Sequence, residues 1–286
     1  MIFSERKQFP ILMMTRLLNV SKSGYYSWVN RQSNPSKRQT ARDQRDHLLR
    51  VAFKENSGRF GSPLLTKYLN RNGVRVCVNT VATSMKRLGL AAVGKSKKKQ
   101  TTFSNHSLKT AENKLNRDFS VHSKQAAWAC DITYIKTKTS WLYLAVVMNL
   151  RSRRVLGWSI SPSMSQELVI SALKKAIDTG IETKDTIHHS DRGSQYCSKR
   201  YQKLLELFGF TVSMSRPGEC HDNAVVESFF GCLKREINIK RFNKLSHSEA
   251  IHEVNQYICW YNSERIHSTL NHQTPLDFES QLSLAN

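Results

Sequence analysis

Asp131, Asp191 and Glu227 are the residues of this chain whose types and settings offer chemistry. Asp131 interrupts a strand-like run, Trp128-Ala129-Cys130-Asp131-Ile132-Thr133-Tyr134-Ile135, and Asp191 follows a short apolar run at a polar glycine turn, Ser190-Asp191-Arg192-Gly193. Glu227 lies near the start of a helical stretch in which Glu227, Gly231 and Lys234 share one face at i, i+4 and i+7. Glycine inside a helix costs about 1 kcal/mol relative to alanine, so something bulky is expected to approach there. An acid, a gap and a cation fit a metal ion beside a phosphate backbone; a solvated helix with an incidental Glu and Lys is the other reading. Three uncompensated carboxylates drawn together would repel, and at least one would be pushed toward protonation. Divalent cations remove that conflict, and an oxygen-only ligand set favours Mg²⁺, with Mn²⁺ as a substitute, over zinc. Taken singly, Asp131 could be a strand acid satisfied by hydrogen bonds, Asp191 an Asx-turn residue and Glu227 a surface acid.

The elements that must position these groups are legible from periodicity. Asp222 or Asn223 can cap the Glu227 helix, whose Val226, Phe230, Leu233 and Ile237 form a buried stripe. Ala126 to Ile135, Trp141 to Leu150 and Arg154 to Ser161 read as three strands of an antiparallel meander. A helix from Gln166 to Ile177 follows, with Ser163 and Gln166 as its capping box. Then come a strand at Thr186 to Ser190, a helix at Lys199 to Phe208, a strand at Phe210 to Ser213 and the Glu227 helix. The order is β-β-β-α-β-α-β-α, so an α/β class is expected from residue 122 onward, with a further amphipathic helix from about Ser246 to Tyr261.

Charge divides the chain. Of a net +22, residues 1–110 carry 22 Lys and Arg against four acids, and residues 111–286 carry 22 against 18. A basic half joined to a near-neutral half predicts a nucleic-acid grip on a folded machine. The basic half reads as all-α with two helix-turn-helix units. The first has an apolar helix from Phe9 to Leu18 and a second helix capped by Ser21 or Ser23, with Trp28 and one tyrosine packing and Lys22 and Arg31 toward phosphate. The second places Thr80, Thr83, Ser84, Lys86 and Arg87 outward on a helix capped by Asn79. Lys97, Lys98 and Lys99 form a basic strap that would release counterions beside a duplex. No run reaches 18 apolar residues and no signal pattern opens the chain, so a cytosolic location and no membrane are expected. The six cysteines form no C-x-x-C pair.

Thirty-five residues separate Asp191 from Glu227, and Lys234 follows seven positions later. With Trp128 to Tyr134, His189 to Tyr196, Asp222 to Lys234, Val20 to Tyr26 and Val78 to Val81, this wording resembles the DDE transposases and retroviral integrases. It is closest to the downstream-frame transposases of the two-reading-frame bacterial insertion sequences, the IS-three group. The resemblance implies a ribonuclease-H-like catalytic core with a mixed five-stranded sheet behind an all-α helix-turn-helix region. It implies a catalytic and metal-binding triad of Asp131, Asp191 and Glu227 holding two ions, with Asp131 shared between them. Lys234 would meet the phosphate beside the scissile bond, and Arg192, Gln195 and Asn223, flanking the acids, could orient substrate.

The expected layout is a first helix-turn-helix at 1–35, a second at 36–92, a basic linker at 93–121, the core at 122–240 and a C-terminal helix and tail at 241–286. The implied activity is Mg²⁺-dependent cleavage at inverted-repeat ends of double-stranded DNA and joining of the freed 3′-hydroxyl to a phosphodiester. A homo-oligomer on DNA, an upstream-frame protein or fusion product as partner, and a nucleoid-associated place in a bacterial cytoplasm follow from the same likeness. A same-fold nuclease that does not join, or a non-catalytic DNA-binding regulator of transposition, would share these features. Asn149 stands where the group usually shows Asp, with altered local hydrogen bonding the expected result.

Overall fold

The structure, a computed structural model, describes residues 1–92, 110–217 and 219–284. Lys97, Lys98 and Lys99 lie outside the described residues. The chain divides into two compact units, Met1–Ala92 and Val93–Asn286.

The first unit is all helical: α1 (Ile2–Glu5), α2 (Ile11–Leu17), α3 (Lys22–Ser33), α4 (Lys37–Glu55), α5 (Ser62–Arg71) and α6 (Val78–Arg87). Ser21 caps α3 by accepting from the Gly24 amide at 3.0 Å. Helix α3 continues to Ser33 and α4 begins at Lys37, so only residues 34–36 separate the two helices. Leu49, Leu65, Leu69, Val81 and Met85 bury the apolar stripes of α4, α5 and α6 against one another. Tyr25 is buried as expected, whereas Trp28 remains exposed while leaning on Phe3 and Tyr25. Helix α6 starts two residues earlier than expected, at Val78 after Cys77, so Asn79 lies within its first turn and does not cap it.

The second unit is built on a five-stranded sheet in the order β3-β2-β1-β4-β5. Its strands are β1 (Ala127–Lys136), β2 (Trp141–Asn149), β3 (Val155–Ser161), β4 (Ile187–Ser190) and β5 (Thr211–Met214). The first three form the expected antiparallel meander, and β4 and β5 add to β1 in parallel. Helices α7 (Gln166–Ile177) and α8 (Lys199–Leu207) supply the crossovers that parallel pairing demands. Helices α9 (Ala224–Glu236), α10 (His247–Ser263) and α11 (Pro275–Leu284) complete the unit.

Strand β2 reads as a nearly continuous apolar run because both faces of the sheet are covered. Leu144, Val146 and Met148 pack with Val226, Phe230 and Leu233 of α9 and Tyr257 and Ile258 of α10. Ala145 and Val147 pack on the other side with Leu168, Ala172 and Leu173 of α7 and with Tyr201 and Leu205 of α8. Gly157 admits this close packing, since a Cβ there would stand 2.2 Å from the Ala172 carbonyl oxygen. Ser165, not Ser163, precedes α7, and no side chain caps it; Ser163 instead donates its amide to Ser161. Ser246 and Glu249 form the capping box that starts α10.

Candidate active site

The site forms where β1 outruns its parallel neighbour. Strand β4 pairs only with Ala127, Trp128 and Ala129, so from Cys130 onward β1 is paired with β2 alone. Asp131 is the second residue of this open stretch, and its Oδ1 accepts from the Ile132 amide at 2.8 Å. Asp191 follows the last residue of β4, and its Oδ1 accepts from the Gly193 amide at 2.9 Å. That turn crowds position 193, where a Cβ would lie 3.0 Å from the same Asp191 oxygen. Glu227 projects from the first turn of α9, and Lys234 stands two turns later on the same helix.

The charges of these groups act on one another. Burial first, and then the negative charges of Asp191 and Glu227, push the Asp131 carboxyl well above its ordinary range, while Lys234 opposes the shift. Burial lowers the Lys234 ammonium, against the pull of Asp131. Acids 60 and 96 positions apart along the chain from Asp131 therefore share one electrostatic environment. Among the described residues, no three His, Cys, Asp or Glu side chains already stand as an assembled metal cage. The donor set is nonetheless all oxygen, and its mutual repulsion is what a hard divalent cation relieves.

The residues around the acids are held in place. Asn223 donates through Nδ2 to the Cys130 carbonyl oxygen at 3.0 Å, so it braces β1 in addition to standing at the start of α9. Arg192 donates through Nε to the Ser215 carbonyl at 2.8 Å, and Gln195 donates to the Met164 carbonyl at 3.2 Å. His189 is fully buried between the Ser213 and Ser215 hydroxyls, at 2.9 and 3.1 Å, and burial lowers its pKa to about 4. It is a neutral spacer between β4 and β5. A Cβ at Gly231 would meet nothing within 4 Å, so none of the described residues supplies the bulky neighbour expected there. A groove of about 550 Å³ along α8, lined by Lys199, Gln202, Lys203 and Glu206, contains none of the three acids.

Asp222 is the positioning residue that the sequence conceals. Expected as a turn or cap residue, it is fully buried and accepts from Asn113 at 2.8 Å, Arg117 at 2.7 Å and Arg216 at 2.9 Å. Hydrogen bonds from Arg216 lead the effects that hold its carboxyl well below the usual range. This clamp fixes the turn that feeds Glu227 into α9. Two of its partners come from more than 100 residues upstream, and no local pattern announces them.

In the helical unit, Lys22 and Lys86 are exposed and Thr80 is half-buried. Arg31 is exposed and bonds the Ser27 carbonyl. Arg87 is exposed as expected, and its guanidinium also chelates Asp46, with Nη2 to Oδ1 at 2.6 Å, giving that buried carboxylate a counter-charge. Ser84, also expected outward, is buried beneath that pair.

Residues 121–220 and 208–275 match models described as an integrase core domain, and residues 41–100 match an HTH-like domain. The transposase InsF of insertion sequence IS3A from Escherichia coli (strain K12) is 41% identical over 284 residues, covering 98% of each chain. An uncharacterized 31 kDa protein of insertion element IS600 from Shigella sonnei is 37% identical over 270 residues, covering 94% of this chain and 98% of its own. Among solved structures, the HTLV-2 integrase catalytic core domain in complex with magnesium is 20% identical at a TM-score of 0.43. It covers 53% of this chain and 94% of that one. With identity this high across nearly its whole length, the chain belongs to the IS3 family of insertion-sequence transposases, enzymes with an integrase core.

Proposed function

We propose that the second unit cuts and joins DNA strands at the open stretch of β1, with Asp131, Asp191 and Glu227 as its catalytic carboxylates. The observation that carries this reading is that Asp131 and Asp191 each stand two residues beyond the last β1–β4 pair, Ala129 with His189, where the charges of Asp191 and Glu227 add to burial in raising the Asp131 carboxyl. Those three residues would hold Mg²⁺, or Mn²⁺ in its place, as a pair of ions. Such ions supply Lewis-acid polarisation of phosphoryl oxygens and balance charge on the attacking and leaving oxygens. The protein's own part is positional: β1 and β4 fix two acids at one end of the sheet, and the Asp222 clamp aims α9 so that Glu227 faces them. Lys234 adds a cation for a phosphate beside the reacting bond.

The substrate in this reading is double-stranded DNA at the inverted-repeat ends of an insertion sequence, with the freed 3′-hydroxyl joined to a target phosphodiester. The basic helical unit would grip those ends through Lys22, Arg31, Thr80 and Lys86 together with the Lys97 to Lys99 strap. Assembly as a homo-oligomer on DNA, with an upstream-frame protein or as its fusion product, and a place at the bacterial nucleoid belong to the same proposal. Among the described residues, no helix is long and apolar enough to cross a membrane.

The test is a joining assay with pre-cut 3′-hydroxyl ends and Mg²⁺. Asp131→Asn, Asp191→Asn and Glu227→Gln should each abolish cutting and joining while leaving DNA affinity within about twofold, because none lies in the helical unit. Normal joining by any one of them would remove that residue from the triad. Cutting without joining by the unaltered chain would make it a nuclease.

A further inference from the structure

Tyr134 and Trp141 form an exposed aromatic pair on the hairpin that carries Asp131. They are 40% and 43% exposed, with ring centroids 5.4 Å apart and planes at 84°. Register explains their meeting: Tyr134 faces Tyr143 and Lys136 faces Trp141, so Tyr134, Lys136 and Trp141 share one side of the β1–β2 ribbon. A cross-strand aromatic pair strengthens a hairpin, and that alone would account for the contact. It does not account for the cations. Lys234 places its ammonium 4.9 Å from the centre of the Tyr134 ring, and Lys136 places its own 5.9 Å from that of Trp141. The connection from 136 to 141 carries two lysines and no acid.

Lys234 links this surface to the acids. Its charge is felt at Asp131, on one side of β1, while its ammonium lies over Tyr134, on the other. The open stretch of β1, which no β4 residue covers, is the route between the two sides. Three strand steps carry Asp131 to Tyr134, about 10 Å. That equals about three stacked nucleotides at 3.4 Å each.

We propose that Tyr134 and Trp141 are a stacking platform for unpaired bases of the DNA strand flanking the reacting phosphate, with Lys136 and Lys234 meeting its backbone. This rests on the reading that the strand reacts at Asp131, Asp191 and Glu227. The occupant is single-stranded because a ring can stack only on a base face that the duplex has released, and aromatic rings interleaved with cations suit such a strand. The platform tolerates any base sequence, since every base has a face to offer.

The experiment compares the full chain binding two probes without divalent metal: a blunt DNA duplex, and the same duplex with a short single-stranded overhang carrying one 2-aminopurine. The unaltered chain should prefer the overhang by about tenfold and change the 2-aminopurine fluorescence. Trp141→Ala and Tyr134→Ala should each lose most of that preference, with blunt-duplex affinity retained. Trp141→Phe and Tyr134→Phe, which keep a ring, should retain most of it, and this excludes simple misfolding. The platform is overturned if the unaltered chain shows no preference, if the alanine variants keep it, or if they lose both probes equally. It is also overturned if Trp141→Ala instead abolishes a concentration-dependent self-association. An overhang preference in a chain that never joins ends with Mg²⁺ would defeat the catalytic reading and leave the platform standing. Normal joining with no such preference would do the reverse.

Discussion

The amide of Asn223 donates to the Cys130 carbonyl at 3.0 Å, one residue before Asp131 and one residue after the β4 ladder ends. It satisfies the first backbone oxygen that the shorter strand leaves behind, and it ties the entry of α9 to β1. Asn223→Ala leaves that buried acceptor unmatched and is expected to cost about 1–3 kcal/mol in urea unfolding. Asn223→Asp, which sets a carboxylate against the carbonyl, should cost more. Both should slow joining beyond any loss in DNA affinity. Equal stability of all three proteins would show that the contact contributes nothing.

Arg265 and Glu236 form an ion pair with side chains 10% and 5% exposed, joined at 2.8 Å, and the Tyr257 hydroxyl donates to the same carboxylate at 2.9 Å. Breaking a buried pair from one side strands the other charge. Arg265→Met should therefore destabilise the protein by about 3–5 kcal/mol, and adding Glu236→Gln should recover part of the loss. A double variant no more stable than Arg265→Met would refute the pairing as the cause.

His267 carries an acid-sensitive contribution. Burial first, then the charges of Arg265 and Arg153, lower its pKa to about 3; Arg265 Nη1 lies 3.2 Å from its Nε2, and the Tyr261 ring packs edge-on at 4.9 Å. The unfolded histidine takes up a proton near pH 6.5, the folded one only near 3. Between those values the unfolded state binds more protons, so stability falls as pH falls, by at most about 1.4 kcal/mol per unit from this group. His267→Gln should flatten the pH dependence of the denaturation midpoint across that window. An unchanged slope would assign the effect elsewhere.

Asn149 finds its explanation in the C-terminal helix. Its Nδ2 donates to Glu279 at 3.2 Å, and Ser152 and Arg154 bind the same carboxylate at 2.8 and 2.5 Å. An aspartate at position 149 would face Glu279 as a like charge. Asn149→Asp is expected to loosen α11, seen as faster protease cleavage or amide exchange over 275–284, and Glu279→Gln should restore protection in that background. Unaltered protection would mean that α11 is held by its apolar contacts alone.

The strand and helix order was readable because each element carries its own signature: β2 is a short, nearly continuous apolar run, and Val226, Phe230 and Leu233 recur at helical spacing. Asp131 was readable because an ionisable group in an apolar strand conflicts with its surroundings. Asp222 was not, since its environment is set by Arg117 and Asn113, which a sequence window around residue 222 does not contain. Arg87 was half legible for the converse reason. A cation at a helix end reads as exposed, and it is, but only the fold shows Asp46 beneath it. Gly231 showed that an open helix face can be a property of the protein by itself.

The parallel pairing of β1 with β4 also bears on how the protein is made. The ribosome must release residue 191 before that ladder can register, and residue 227 before the third acid arrives. On the reading proposed above, a nascent chain that displays only its basic helices would hold DNA with no means of cutting it. Synthesis would then deliver the grip before the blade.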